Sequence, residues 1–235
     1  MGPGGGESGG RIVACGTPNF LNNIAGRVTS IVMNMLLVRL GGESAVSIYG
    51  ILMYVEGFIQ PLLYGMCDSL QPAVGYNWGA GRLDRVKAIE RCCFVSSAIL
   101  SLLSVAIIAL LPEPITVLFM GETDRTFLTE AVFALKLFSL TYITRWYSFA
   151  VQSYMLAVEK PGSASIISVS TALVFPLLLL AALYPLGLTG IWLNFALTAV
   201  LAGILAIIVM VRFSRKLRAG IPPHAGHDLD VSEMD

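Results

Sequence analysis

SLQPAVGYNWGAGRLDRVKAIER, residues Ser69–Arg91, interrupts a chain that is otherwise mostly apolar. It carries Pro72, glycines at 75, 79 and 81, an Asn77-Trp78 pair and then the cations Arg82, Arg85, Lys87 and Arg91. Long apolar segments flank it on both sides, and their nature determines what the interruption is. Of the 235 residues, 56% are hydrophobic and 13% are charged, with a mean hydropathy of +0.77. Soluble domains carry roughly 25% charged residues. The formal net charge of zero conceals a clustered distribution, and nothing in it supports a nucleic-acid partner.

A helix needs about 20 mostly apolar residues to cross a bilayer. Six segments meet that requirement, near Asn19–Leu40, Ala45–Leu70, Ala88–Leu111, Phe127–Val158, Ser163–Tyr184 and Leu188–Phe213. None alternates with period two over strand length, so a barrel is excluded in favour of an all-α integral membrane fold, a six-transmembrane-helix bundle. Gly41-Gly42, Pro112 with Pro114, and Pro161-Gly162 stand where helices must end. Pro61 and Pro176 fall inside spans, where kinks are expected. Cys15, Cys67, Cys92 and Cys93 show no ligand or disulfide spacing and read as small buried hydrophobes.

The cations set the direction. Arg11, Arg82, Arg85, Lys87, Arg91, Lys160, Arg212, Arg215, Lys216 and Arg218 fall on one side of the spans, against Arg39 and Arg125 on the other. Positive charge stays on the cytoplasmic side, which puts both termini there and points to the plasma membrane. The glycine-rich opening, residues 1–17, reads as an unstructured segment and connector, residues 18–218 as the bundle, and residues 219–235 as a disordered cytoplasmic tail. His224 and His227 on that tail form an H-x-x-H pair without further ligands, so no metal is expected.

Gln71-Pro72, Gly75-Tyr76-Asn77-Trp78-Gly79-Ala80 and Asp84-Arg85-Val86 together resemble a motif of the multidrug and toxic compound extrusion (MATE) family. PNFLNNIAG, residues 18–26, is similar to the start of that family's seventh helix, and LGLTGIWLNFAL, residues 186–197, to the link into its twelfth. The resemblance runs from about Thr17 to Arg218. It implies an efflux transporter of small organic molecules or drugs, working by ion-coupled antiport and alternating access. The family has two six-helix halves, and this chain matches the second. The resemblance therefore implies a partner: either a missing N-terminal half or a second copy of the chain, a pairing that C2 symmetry permits. It also implies a coupling ion, H+ or Na+, and no other cofactor. Acids that bind the ion in some members, in the helices matching spans one and four, have no counterpart here, so that site is not carried over. By this placement Gln71, Pro72, Gly75, Tyr76, Asn77, Gly79 and Ala80 form a structural corner, with a hinge as the functional alternative.

Charged residues inside spans are costly, at least ~2.5 kcal/mol each at the bilayer centre, and normally face a cavity or a partner. Arg27, Glu56, Asp68, Lys136 and Arg145 are of this kind. Asn23, Arg27, Ser30 and Asn34 share one helix face, as do Thr141, Arg145, Ser148 and Gln152, and Tyr49, Glu56 and Gln60 share a third. Three polar stripes point to a shared cavity, with Glu56 opposite Arg27 or Arg145. The pathway candidates are Arg27, Asn34, Glu56, Gln60, Asp68, Arg145 and Gln152. Glu56 could carry a proton or sodium ion. The alternative is a buried ion pair that only fixes packing. Two arginines also make an anionic or zwitterionic substrate plausible. A non-transporting subunit and a flippase of lipid-linked substrates remain alternatives. An enzyme is not expected, because no span contains histidine and no nucleotide or hydrolase motif occurs.

Overall fold

The computed structural model describes residues 5–121 and 124–218, with side chains over 24–121 and 124–217. Among the described residues the chain is helical, without strands: α1 (Gly5–Ser69), α2 (Gln71–Gly79), α3 (Leu83–Leu110), α4 (Pro112–Met120), α5 (Arg125–Ser139), α6 (Thr141–Ala157), α7 (Pro161–Val169), α8 (Phe175–Leu183) and α9 (Leu188–Arg218). A π-turn, Ser170–Val174, joins α7 to α8. The proposed tail, with His224 and His227, lies outside the described residues. Helix α1 starts at Gly5, so helix extends into the glycine-rich opening that composition sets aside as unstructured.

Five continuous helical runs are long and apolar enough to cross a membrane. The first is two arms folded at Gly42, where φ is 63° and ψ is −149°, a combination open in practice only to glycine. The fold-back is evident from the side chains. Ser30 Oγ lies 3.5 Å from Tyr49 Oη, although 19 residues of straight helix would span about 28 Å. The six expected spans are therefore the two arms of α1, α3, α5 with α6, α7 with α8, and α9.

The kink expected at Pro61 is absent, and the corner lies elsewhere in the motif than expected. The second arm keeps helical dihedrals through Pro61, whose ring lies on the exposed outer face; a bilayer gives freed backbone groups no water to open towards. Pro72 does not make the corner either. It sits in the first turn of α2, where a missing N–H costs nothing. The chain turns about ten residues later. Gly81 has φ 68°, and the Gly81 and Arg82 amides donate to the Trp78 and Asn77 carbonyls at 3.0 and 2.8 Å, a Schellman cap. Neither glycine of α2 is demanded by crowding: a Cβ at Gly75 would make an ordinary 3.5 Å contact with the Ala157 carbonyl, and Gly79 faces open space. The fourth span divides at Leu140 into α5 and α6, with Leu140 itself still right-handed helical, and both pieces pack on α9.

The two ends of the bundle differ. At one, Val74, Trp78, Val86, Tyr154, Val158 and Ala164 form a core with Phe213 packed on it. This gathers the α2–α3 turn, the α6–α7 turn and the end of α9, so the cations on these three segments share one end. The other end is formed by the turns at Gly42 and Gly187, both with positive φ, and Leu188 packs against Gly41. Along α3, Cys93, Ser97, Ser101, Ser104 and Ile108 are buried while Leu102, Leu103, Ile107 and Leu110 are exposed. Small residues pack inward and large ones face lipid, as expected where lipid supplies no drive to bury leucine.

Candidate functional site

A cavity of about 750 Å³ lies between the two arms of α1, α6, the π-turn and α9. The three polar stripes supply its walls. Arg27 and Ser30 come from the first arm, Tyr49, Glu56, Gln60 and Tyr64 from the second, and Arg145, Ser148, Phe149 and Gln152 from α6. Helical spacing of three or four places each set on one face.

Glu56 anchors the site. It is 8% exposed. Its Oε1 lies 2.5 Å from Arg145 Nη2, and its Oε2 accepts a hydrogen bond from the Tyr142 hydroxyl. Tyr142 and Arg145 are three residues apart, so one face of α6 presents both donors. The Arg145 guanidinium also stands over the Phe149 ring, 5.2 Å from its centroid, a cation–π geometry. Of the two partners that sequence offers Glu56, the structure selects Arg145. Arg27 lines the same cavity, exposed and without a carboxylate partner among the described residues.

The π-turn forms the cavity wall with Thr171, Ala172 and Pro176. Pro176 has no N–H to give the Ala172 carbonyl, and Thr29 Oγ1 donates to that carbonyl instead, at 2.6 Å. Asn194 Nδ2 donates to the Pro176 carbonyl at 2.8 Å. The proline anticipated as a kink thus appears as a π-turn whose orphan acceptor is satisfied from another span.

Of the sequence candidates, Arg27, Glu56, Gln60, Arg145 and Gln152 line the cavity. Two do not. Asn34 turns back on its own helix, with Nδ2 donating to the Ser30 carbonyl at 3.0 Å. Asp68 is exposed towards the basic end and accepts from Gln71 Nε2 at 2.7 Å and from Ser153 Oγ at 3.0 Å. Gln71 Nε2 also donates to Ser153 Oγ, so the three residues fasten the second arm and α2 to α6. Lys136 is exposed on α5. In the motif, Pro72, Tyr76, Gly79 and Ala80 are exposed, and Asn77 is buried with Nδ2 donating to the Ala73 carbonyl at 2.8 Å. None of the motif residues reaches the cavity. Cys67 and Cys93 are buried and Cys92 is exposed.

Sequence reading overlooked Tyr142, Thr29 and Asn194. Tyr142 carried a readable signal, a hydroxyl three residues before an arginine inside a span. Thr29 and Asn194 carried none, because their partners are backbone carbonyls freed or exposed by a distant proline.

Comparison with known proteins gives the family. The MatE family matches residues 18–180. The multidrug export protein MepA of Staphylococcus aureus is 24% identical over 201 residues, which cover 85% of this chain and 43% of that protein. MepA of Staphylococcus haemolyticus is 24% identical over 208 residues, 88% of this chain and 45% of that protein. Among solved structures, the inward-facing conformation of a multidrug resistance MATE family transporter of the MOP superfamily superposes with TM-score 0.80 at 16% identity, covering 88% of this chain and 48% of that one. The outward-facing conformation also gives 0.80 at 16% identity, over 88% and 47%. The chain spans about half the length of the curated relatives it matches. With well over half of its residues inside the family match, the chain belongs to the MatE family, the one its Gln-Pro and Gly-Tyr-Asn-Trp-Gly-Ala motifs resemble.

Proposed function

We infer that this chain is one half of a secondary transporter that exports small organic molecules by ion-coupled antiport with alternating access. The observation that carries the reading is the Glu56–Arg145–Tyr142 cluster inside a polar cavity within the membrane-spanning region. An ionised carboxylate there is costly to keep without a partner. A proton or sodium ion arriving at Glu56 competes with the Arg145 guanidinium for the same oxygen atoms, so ion binding and the position of α6 are coupled.

The cavity's walls come from five of this chain's six spans, and in this reading a second six-helix unit completes it, either the other half of a longer polypeptide or a second copy of this chain. We read the basic end as cytoplasmic by the positive-inside rule, in keeping with a plasma-membrane protein whose termini lie on that side. The equal likeness to inward-facing and outward-facing folds supports motion between halves rather than within this one. Proteoliposome flux driven by an imposed ion gradient tests the reading. Glu56→Gln is expected to abolish the gradient dependence while the protein still inserts; gradient dependence equal to that of the parent would overturn it.

A further inference from the structure

The cavity contains the two features that usually hold a cation, a carboxylate and an aromatic face, and Arg145 occupies both. Its guanidinium pairs with Glu56 and covers the Phe149 ring, while Tyr142 takes the second carboxylate oxygen. Among the described residues no other carboxylate lines the cavity. Arg27 does line it, exposed and with no acidic partner among the described residues. Glu56 and Arg145 cancel, and Arg27 leaves the cavity with one net positive charge. A guanidinium presents several N–H donors in a planar fork suited to carboxylate or phosphate. Ser30 stands one turn along the same helix face, and Gln60 and Gln152 add uncharged polar groups. Tyr49 and Phe195, stacked with centroids 6.2 Å apart, supply apolar wall for the rest of a molecule.

We propose that this cavity binds molecules carrying an anionic carboxylate or phosphate on an apolar body, with Arg27 as the anion-binding group, and discriminates against lipophilic cations. The proposal rests on the reading of the cavity as the transport site, but equilibrium binding tests it without any flux. The anion has two possible sources, a soluble amphiphile or the headgroup of an anionic lipid, and both engage the same guanidinium.

The test uses the purified chain in nanodiscs of neutral phosphatidylcholine and two matched probes, 2-naphthoate and 2-naphthylmethylammonium. Naphthoate is expected to bind about tenfold more tightly, equivalent to about 1.4 kcal/mol. Arg27→Gln should remove the preference, and Arg27→Lys, which keeps the charge but not the fork, should retain part of it. Circular dichroism of both variants verifies the fold. Equal binding of the two probes, binding of neither, or an unchanged preference in Arg27→Gln overturns the proposal. Repeating the titration in discs containing phosphatidylglycerol separates the sources: an Arg27-dependent loss of naphthoate affinity identifies a lipid headgroup as the occupant, and unchanged affinity identifies a soluble anion. Anion-selective binding without flux would leave this site standing and the transport reading refuted. Gradient-driven flux with cation-selective binding would do the reverse.

Discussion

Removing one member of the Glu56–Arg145 pair should cost more than removing both. The carboxylate is 10% exposed in its side chain and the guanidinium 17%, with 2.5 Å between them. Breaking a buried ion pair by losing one partner typically costs about 3–5 kcal/mol, because the other charge remains buried and unpaired. Partial exposure of Arg145 puts this pair near the lower end, at about 3 kcal/mol. The two single losses are unequal. In Glu56→Gln, the stranded guanidinium still has the Phe149 ring and an amide oxygen. In Arg145→Gln, the stranded carboxylate keeps the Tyr142 hydroxyl and gains at most an uncharged amide donor, with no cation–π partner to share its charge, so this variant is the less stable of the two. The double variant carries no charge and can form an amide–amide hydrogen bond, so its loss should fall to about 1 kcal/mol. The assay is unfolding in mixed micelles, titrated with sodium dodecyl sulfate and followed by circular dichroism, for the parent, both singles and the double. A coupling energy of several kcal/mol with the double above both singles is the expected pattern. Additive losses, the pattern of independent sites, would refute the claim that these two charges hold each other in the bundle.

Three further outcomes follow from backbone geometry, read in the same unfolding assay. Thr29→Val leaves the Ala172 carbonyl without its hydroxyl donor and should cost about 1–2 kcal/mol; the cost should shrink in a Pro176→Ala background, where residue 176 regains an N–H. Gly42→Ala meets no atom within 4 Å, so its cost comes from φ 63°, ψ −149° alone, about 1–3 kcal/mol. Gly79→Ala, in helix with open space around the added carbon, should instead stabilise by about 0.5 kcal/mol, and a fall in flux despite that gain would identify Gly79 as a moving part.

The sequence made the bundle legible because lipid simplifies the code. Twenty apolar residues read as a span without knowledge of neighbours, and the Gly41-Gly42 and Pro161-Gly162 breaks fell where turns occur. Proline was the misleading signal. Pro61 read as a kink and Pro72 as part of a corner, yet one lies on an outer face and the other in a first helical turn, and neither position is visible without the fold. The corner belonged to Gly81, whose positive φ only the cap reveals. In the site, helical spacing located Arg27, Glu56, Gln60, Arg145 and Gln152 on cavity-facing stripes. It could not separate Asn34 and Asp68, which are polar and correctly spaced but satisfied by a local carbonyl and by Gln71 with Ser153. The choice between Arg27 and Arg145 as partner of Glu56 depended on which helix packs against the second arm, information that no periodicity contains.

Access to the cavity from the two sides of the membrane is the property on which the transport account depends most. A single cysteine at position 60, in a chain whose four native cysteines are replaced by serine or alanine, places a reporter on the cavity wall beside Glu56. Its reaction with a membrane-impermeant maleimide is measured in right-side-out and inside-out vesicles, with and without an imposed ion gradient. Labelling from both sides, with the favoured side changing as the gradient is reversed, is the expected result. Labelling confined to one side whatever the gradient, or absent from both, would contradict alternating access through this cavity.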